Sequence, residues 1–263
     1  MYNFEYQKPA ALADAVAALG QDDAKALAGG MTLIPVLKQR LNQPSVVVDL
    51  GKLGLSGITV TGETVTIGAM TTHATVARST EILRAIPALA ALAGGIGDNQ
   101  VRARGTIGGS LANNDPSACY PSAALALGAT ITTNKRAIPA DQYFTGMFST
   151  ALDEGEVITS VSFPIPAKAA YVKFKQPASR YAMVGVFVAK GPAGVRVAVT
   201  GSGQGGVFRF TAAEQALAAN WSADALAGAS VSADDMMSDI HGSAVYRAHL
   251  VSVVTKRAVL AAG

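Results

Sequence analysis

Residues Asn99–Pro121, NQVRARGTIGGSLANNDPSACYP, constrain this chain more than any other stretch. The segment opens on Arg102 and Arg104, tightens at Gly105, and runs through Thr-Ile-Gly-Gly-Ser to Asn113, Asn114, Asp115 and Pro116. A core-building segment does not concentrate small and polar residues in this way. Gly108 and Gly109 can take backbone angles closed to other residues and let a ligand come close to the main chain. Thr106 and Ser110 add hydroxyls, and successive N–H groups can form a nest for phosphate oxygens. The apolar run Ala123–Leu127 is expected as a helix whose N-terminal dipole adds to the same field. An ordinary glycine turn between two packed elements has the same local signature.

A second loop of this kind lies near the start, where Ala28-Gly29-Gly30-Met31-Thr32 joins a strand-like Ala24–Leu27 to the apolar Leu33–Leu37. Two small-residue loops, each with a hydroxyl, suit a ligand with two phosphates, and a dinucleotide pyrophosphate fits that description. Neither is the usual dinucleotide fingerprint, which needs G-x-G-x-x-G and a carboxylate about 20 residues further on. No Gly-Lys-Ser/Thr closes either loop, so a P-loop is excluded.

Half of the 263 residues are hydrophobic and 15% are charged, the balance of a globular chain with a real core. No apolar run approaches the ~18 residues of a membrane span. The N-terminal MYNFEYQKPA has neither a basic nor an apolar signal region, so a cytoplasmic location is expected. A net charge of +3 with scattered Lys and Arg gives no basic stripe for nucleic acid. The single cysteine, Cys119, excludes an internal disulfide and any cysteine-held zinc or iron–sulfur site. His73, His241 and His249 show no metal-ligand spacing. Redox chemistry here would need an organic cofactor.

Taken in order, residues 1–53 read as a small α/β unit: a helix over Ala10–Leu19, a strand at Ala24–Leu27, a helix at Leu33–Arg40 and a strand at Ser45–Leu50. Residues 54–166 start with a hairpin, Ile58–Thr61 and Thr64–Ile67. Thr71–Ser79 then starts a helix, with Thr71 or Thr72 as cap. His73 in that start could attach a flavin covalently or be a capping or packing histidine. Ile82–Ala93 is expected as a buried helix, broken or kinked at Pro87. A helix at Ala123–Leu127 and a strand near Ala129–Thr132 follow, and a last strand from Gly155 runs to Phe163. In residues 168–263, strands are expected at Ala169–Phe174, Val184–Ala189 and Val195–Thr200. Gly201–Gly206 is expected as a surface hairpin turn, and helices follow from Ala212 with breaks near Gly228 and Gly242.

With these residues in place, the chain resembles the FAD-binding middle subunit of the molybdenum hydroxylases, the family of carbon monoxide and xanthine dehydrogenases. The resemblance runs through AGGMTLIPVLK, IGAMTTHATVA at 67–77, VRARGTIGGSLANNDPSACYP and GEVITSVSFP. It continues through KFKQPASRYAMVGV at 173–186 and DIHGSAVYRAHLVSVVTKRAV near the end. The implied fold is α+β: a two-lobed FAD-binding domain of PCMH/VAO-like type over 1–166, with lobes of about 1–53 and 54–166, then a smaller sheet-plus-helices domain over 167–263.

The resemblance also implies roles. Ala28, Gly29, Gly30, Met31 and Thr32 hold the pyrophosphate from one side, and Thr106, Gly108, Gly109 and Ser110 from the other, with Asn113 nearby. Ile96 and Gly97 match a segment close to the flavin, and Ile158 matches a backbone contact on the adenine or flavin side. Lys175 matches a cation near the isoalloxazine, where it would stabilise the reduced ring, and Tyr181 could shield that ring. Where many relatives carry an aspartate that contacts the cofactor, this chain has Cys119; weaker binding, a shifted potential, or a substitute role for Asp115 all follow as possibilities.

By the same resemblance, non-covalent FAD is the cofactor, and the molybdenum cofactor and two [2Fe–2S] clusters sit in partner subunits. The chain would accept electrons from a [2Fe–2S] small subunit, beside a molybdenum-containing large subunit in a dimer of heterotrimers, and pass them to an external acceptor. No catalytic acid or base and no metal site are expected. The alternatives are a free-standing flavoprotein oxidoreductase and a non-redox nucleotide-binding scaffold subunit.

Overall fold

The computed structural model describes residues 1–263 and contains three main sheets with helices packed against them. The first lobe is a parallel three-stranded sheet in the order β1 (Glu5–Gln7), β3 (Val46–Asp49), β2 (Lys25–Leu27). Val46, Val47 and Val48 are all buried, which places β3 in the middle, since a central parallel strand is covered on both faces. Helix α1 (Leu12–Leu19) buries Ala15, Ala18 and Leu19 against this sheet. Helix α2 (Leu33–Lys38) follows the first glycine loop.

The second lobe is antiparallel, in the order β4 (Ile58–Thr61), β5 (Thr64–Gly68), β10 (Ile158–Pro164), β6 (Thr130–Thr133), β7 (Ala137–Pro139). Val65, Ile67, Val161 and Phe163 are fully buried while their neighbours are only partly covered, the alternation of a sheet with one core face. Helices α3 (His73–Arg78), α4 (Thr80–Ala85), α5 (Pro87–Gly94), α6 (Asn99–Arg104), α7 (Ile107–Asn113) and α8 (Tyr120–Leu127) lie between β5 and β6. Thr72 caps α3 through its side chain, as expected from the sequence. The helix expected over Ile82–Ala93, broken or kinked at Pro87, is broken there into α4 and α5. Ile86 turns the chain, and Pro87 starts α5, where its missing N–H is not needed. Helix α9 (Ala140–Tyr143) and the hairpin β8 (Phe144–Gly146)–β9 (Ser149–Thr150) complete the lobe.

The remaining chain makes an antiparallel sheet, β11 (Lys168–Lys175), β12 (Ala182–Gly191), β13 (Gly194–Thr200), β14 (Phe208–Arg209), with α10 (Thr211–Ala219) and the long α11 (Ala244–Ala262). Its central strand is buried from Ala182 to Ala189 because it is covered twice. Phe187 and Ala189 enter the core of the second lobe, while Val184, Val186 and Val188 join the core shared with α11. Arg247 fastens that helix, donating to the carbonyls of Met183 (3.0 Å) and Gly201 (2.7 Å) and to Asp239 (2.7 Å).

Gly201–Gly206 is not the exposed turn expected from sequence. Only Gln204 and Gly205 are exposed; Gly201 donates to the carbonyl of Pro116 at 2.7 Å, and Gly203 bridges to Met236. A Cβ at Gly201 would lie 2.4 Å from the Ala182 carbonyl oxygen, so the glycine is there for close packing. Through this segment and Thr200, whose hydroxyl bonds the carbonyls of Pro116 and Ala118, the third sheet holds the polar end of Asn99–Pro121 in place.

Candidate functional site

The two glycine stretches meet back to back. A Cβ on Gly29 would lie 2.1 Å from the Arg104 carbonyl oxygen, and one on Gly109 would lie 3.3 Å from the Cβ of Ala28. Below them, a Cβ on Gly105 would come within 2.6 Å of His73 Nε2, and one on Gly108 within 2.6 Å of Ala69 Cβ. These glycines are needed for the close approach of backbones.

Their hydrogen bonding differs completely. In the second stretch, Ile107 donates to the carbonyl of Thr71, Gly108 to Ala69, Gly109 to Thr106 Oγ1 and Ser110 to the Thr106 carbonyl, at 2.9–3.1 Å. Of the phosphate nest expected over Thr106–Ser110, only the Thr106 N–H is therefore left without a partner inside the chain. Those residues form the capped first turn of α7, and Gly108 and Gly109 have no positive φ. In the first stretch none of the N–H groups of Ala28, Gly29, Gly30, Met31 and Thr32 donates a hydrogen bond within the chain. Gly30 takes φ +75°, and Thr32, at the N-cap of α2, makes no side-chain cap. A row of unpartnered main-chain donors that does not bury itself suits an anion.

That row faces a cleft of about 880 Å³ between the two lobes, with β11 contributing Lys173 and the connection to β12 contributing Tyr181. Every site residue expected from the sequence lines it except Lys175. Simple alternation would put Lys175 on the same face as Lys173, but the β11–β12 register shifts between Phe174 and Lys175 and leaves Lys175 exposed. Lys173 takes the cleft position, with Nζ donating to the Gly95 carbonyl at 2.8 Å and lying 3.4 Å from Cys119 Sγ.

Residues in and behind the wall escaped the sequence reading. Behind it, Arg102 points back to the carbonyls of the lining residues Ile96 (2.8 Å) and Gly97 (3.0 Å) and clamps that turn. Asp98 caps α6 through the Val101 N–H, a role its position before Asn99 could have suggested. Glu156 closes the opposite end, accepting from Thr133 Oγ1 (2.6 Å), Arg136 (3.1 and 3.2 Å) and the Asp153 N–H (2.8 Å). Burial would raise its carboxyl, but these donors outweigh that and bring it down to about 2. The segment it holds carries Val157 into the core of the first lobe and so ties the lobes together.

His73 is a packing histidine in this structure, 5% exposed, tilted against Tyr120 at 5.3 Å, with Nδ1 lacking any partner. Burial, with the Arg102 charge adding to it, pulls the imidazole down to about 4. The ring is thus neutral at physiological pH. Tyr181 is half-exposed at the cleft mouth, its hydroxyl pushed up by burial and by the nearby Asp115 and Cys119.

FAD fits what is present. The cleft volume is in the range of small-molecule sites, the unpartnered N–H row matches a pyrophosphate, and the glycines keep the walls free of side chains there. Three cations, Lys25, Lys173 and Arg180, line the cleft without ion pairs, whereas the lining carboxylates Asp98, Asp115 and Glu156 each accept a hydrogen bond from the chain itself. The balance favours an anionic occupant.

Comparison with known proteins agrees with this geometry. The family described as "FAD binding domain in molybdopterin dehydrogenase" matches residues 2–166. The chain is 38% identical to the nicotine 6-hydroxylase medium subunit of Paenarthrobacter nicotinovorans, covering 98% of this chain and 96% of the relative. It is 34% identical to the carbon monoxide dehydrogenase medium chain of Hydrogenophaga pseudoflava, with the same coverage. Among solved structures, reconstituted CO dehydrogenase from Oligotropha carboxidovorans superposes with a TM-score of 0.90 at 33% identity, over 99% of this chain and 98% of that one.

Proposed function

Because the chain belongs to the family of FAD-binding medium subunits of the molybdenum hydroxylases, we infer that it is the electron-transfer subunit of such an enzyme. The observation that carries the reading is the row of unpartnered N–H groups at Ala28–Thr32, facing a cleft of dinucleotide size. Bound FAD would supply a two-electron store that can be filled and emptied one electron at a time. The chain's own residues bind, orient and shield.

In this reading the N–H groups of Ala28, Gly29, Gly30, Met31 and Thr32 hold the pyrophosphate. Thr106, Gly108, Gly109 and Ser110 form a wall rather than a second set of main-chain donors, with the Ser110 hydroxyl, Asn113 and Asp115 completing it. Ile96 and Gly97, clamped by Arg102, and Ile158, held by the Glu156 cluster, bracket the cofactor. Lys173, in place of Lys175, is the cation assigned to the reducible ring, with Cys119 beside it and Tyr181 at the mouth. Residues 1–166 are proposed as the cofactor domain, in lobes of about 1–53 and 54–166, and 167–263 as the unit that braces it.

The relatives are named as medium subunits or chains of larger enzymes, which does not favour a free-standing oxidoreductase. One cysteine cannot ligate a [2Fe–2S] cluster, which takes four protein ligands. The molybdenum and iron–sulfur centres belong to other subunits. We propose a small [2Fe–2S] subunit as electron donor, a large molybdenum subunit, and a dimer of heterotrimers delivering electrons to an external quinone, NAD, oxygen or soluble carrier. No helix is long and apolar enough to cross a membrane.

The test is an absorption spectrum of the purified chain before and after heat release of cofactor. One FAD per chain, released into solution, supports the reading. Colourless protein that takes up no added FAD overturns it.

A further inference from the structure

Lys173 and Cys119 form a pair on the wall of the cleft. Lys173 projects from β11 into the cleft and is half-buried. Its ammonium meets a carbonyl oxygen, Gly95, and a sulfur, Cys119 Sγ, and takes part in no ion pair. Cys119 is 5% exposed and fixed at the start of α8, where its carbonyl accepts from Ser122 Oγ at 2.8 Å. Carboxylates are available nearby in sequence and space, but each is engaged elsewhere. Asp115 accepts from the Ser117 N–H, Asp98 caps α6, and Glu156 is paired with Arg136. No carboxylate therefore pairs with this part-buried lysine, and salt screens a part-buried charge less than an exposed one.

We propose that Cys119 is a positioning residue for electron acceptance. By placing sulfur rather than a carboxylate beside Lys173 Nζ, it leaves the lysine charge free to act on the reducible ring of bound FAD and raises the reduction potential of that FAD. The physical reason is that electrons arriving on the ring add negative charge, which an unpaired cation in a poorly solvated cleft stabilises more strongly than a neutralised one. The proposal rests on the FAD reading, but the two fail in different ways.

The experiment is a spectroelectrochemical titration of the FAD-loaded chain, comparing the unaltered protein with Cys119→Asp, Cys119→Ser and Lys173→Gln. Cys119→Asp places a carboxylate beside Lys173 Nζ and lowers the midpoint potential. Lys173→Gln removes the cation and also lowers it. Cys119→Ser keeps a small uncharged partner and leaves the potential in place. A potential unmoved by Lys173→Gln, or lowered as much by Cys119→Ser as by Cys119→Asp, overturns the proposal. If Cys119→Asp does not fold, the serine and glutamine variants decide alone, since one must hold and the other must fall. Unaltered chain that binds no FAD would sink the cofactor reading itself, a result visible before any potential is measured.

Discussion

The glycine stretches at 28–32 and 105–109 are alike in composition and opposite in use. Both are small, both carry a threonine, and they touch each other across the wall of the cleft. At 105–109 the glycines let α7 pack on Ala69 and His73, and every N–H from Ile107 to Ser110 is used inside the protein. At 28–32 the N–H groups stay unpartnered and face the cavity. The lesson is that a glycine motif marks close approach, and that what approaches, a ligand or the protein's own backbone, is decided by who satisfies the donors. One stretch leaves its donors open to the cleft, which is why we propose it as the anion site; the other is the buttress behind it.

That contrast can be broken by substitution. The largest effect is expected for Gly108→Val, which drives side-chain atoms into Ala69. We expect a loss of about 3 kcal/mol of folding stability or more, the upper range for overpacking, read from urea denaturation of the apo chain. If apo stability is unchanged, the buttress reading is wrong. Gly30→Ala tests the other side. Its φ of +75° and the Ile34 Cδ1 only 2.6 Å from a new Cβ distort the donor row. FAD affinity should fall at least about tenfold, measured by flavin fluorescence, while the chain stays folded and loses only about 1–2 kcal/mol.

Thr106→Val removes the cap on α7 and should cost about 1 kcal/mol of stability, with most of the FAD affinity kept; a loss of affinity far beyond the loss of stability would make Thr106 a ligand after all. Acid titration sharpens the picture of the walls. Glu156 has its folded pKa lowered from 4.5 to about 2, so its contribution is complete above pH 4.5 and disappears as pH falls toward 2. His73 has its pKa lowered from 6.5 to about 4, so folding stability declines as pH drops from 6.5 through that window. In Glu156→Gln the pH dependence of stability should flatten below 4.5, and in His73→Gln between 6.5 and 4. The smallest effect is expected at Gly205→Ala, where a Cβ meets nothing within 4 Å; stability should change by no more than about 0.5 kcal/mol.

Much of this was legible in the chain itself. The β-branched alternation of Ile58–Ile67 and the run Val46–Val48 specify strands because their side chains must be buried on one face or on both. Thr72 before His73 specifies a helix start because a hydroxyl there accepts an N–H that the helix cannot satisfy. The two glycine loops marked the cleft, and all but one of the residues expected in the site line it. Asn99–Pro121 was harder to read, because its helices α6 and α7 are a turn or two long and depend on caps and on tertiary partners rather than on a hydrophobic period.

What the sequence by itself determined, then, is the set of elements, the absence of cluster-ligating cysteines and the place of the cleft, all of which follow from side-chain type and short-range order. Only the tertiary structure decided which main-chain donors are free and which lysine faces the cleft. The partners of Ile107 and Gly108 are Thr71 and Ala69, over thirty residues away, and nothing local to the glycines reveals them. Likewise the shift that turns Lys175 outward is a property of β11 paired with β12, not of either strand alone. A hydrogen-bond donor is spent or available according to what the fold brings beside it, and that is a fact about three dimensions.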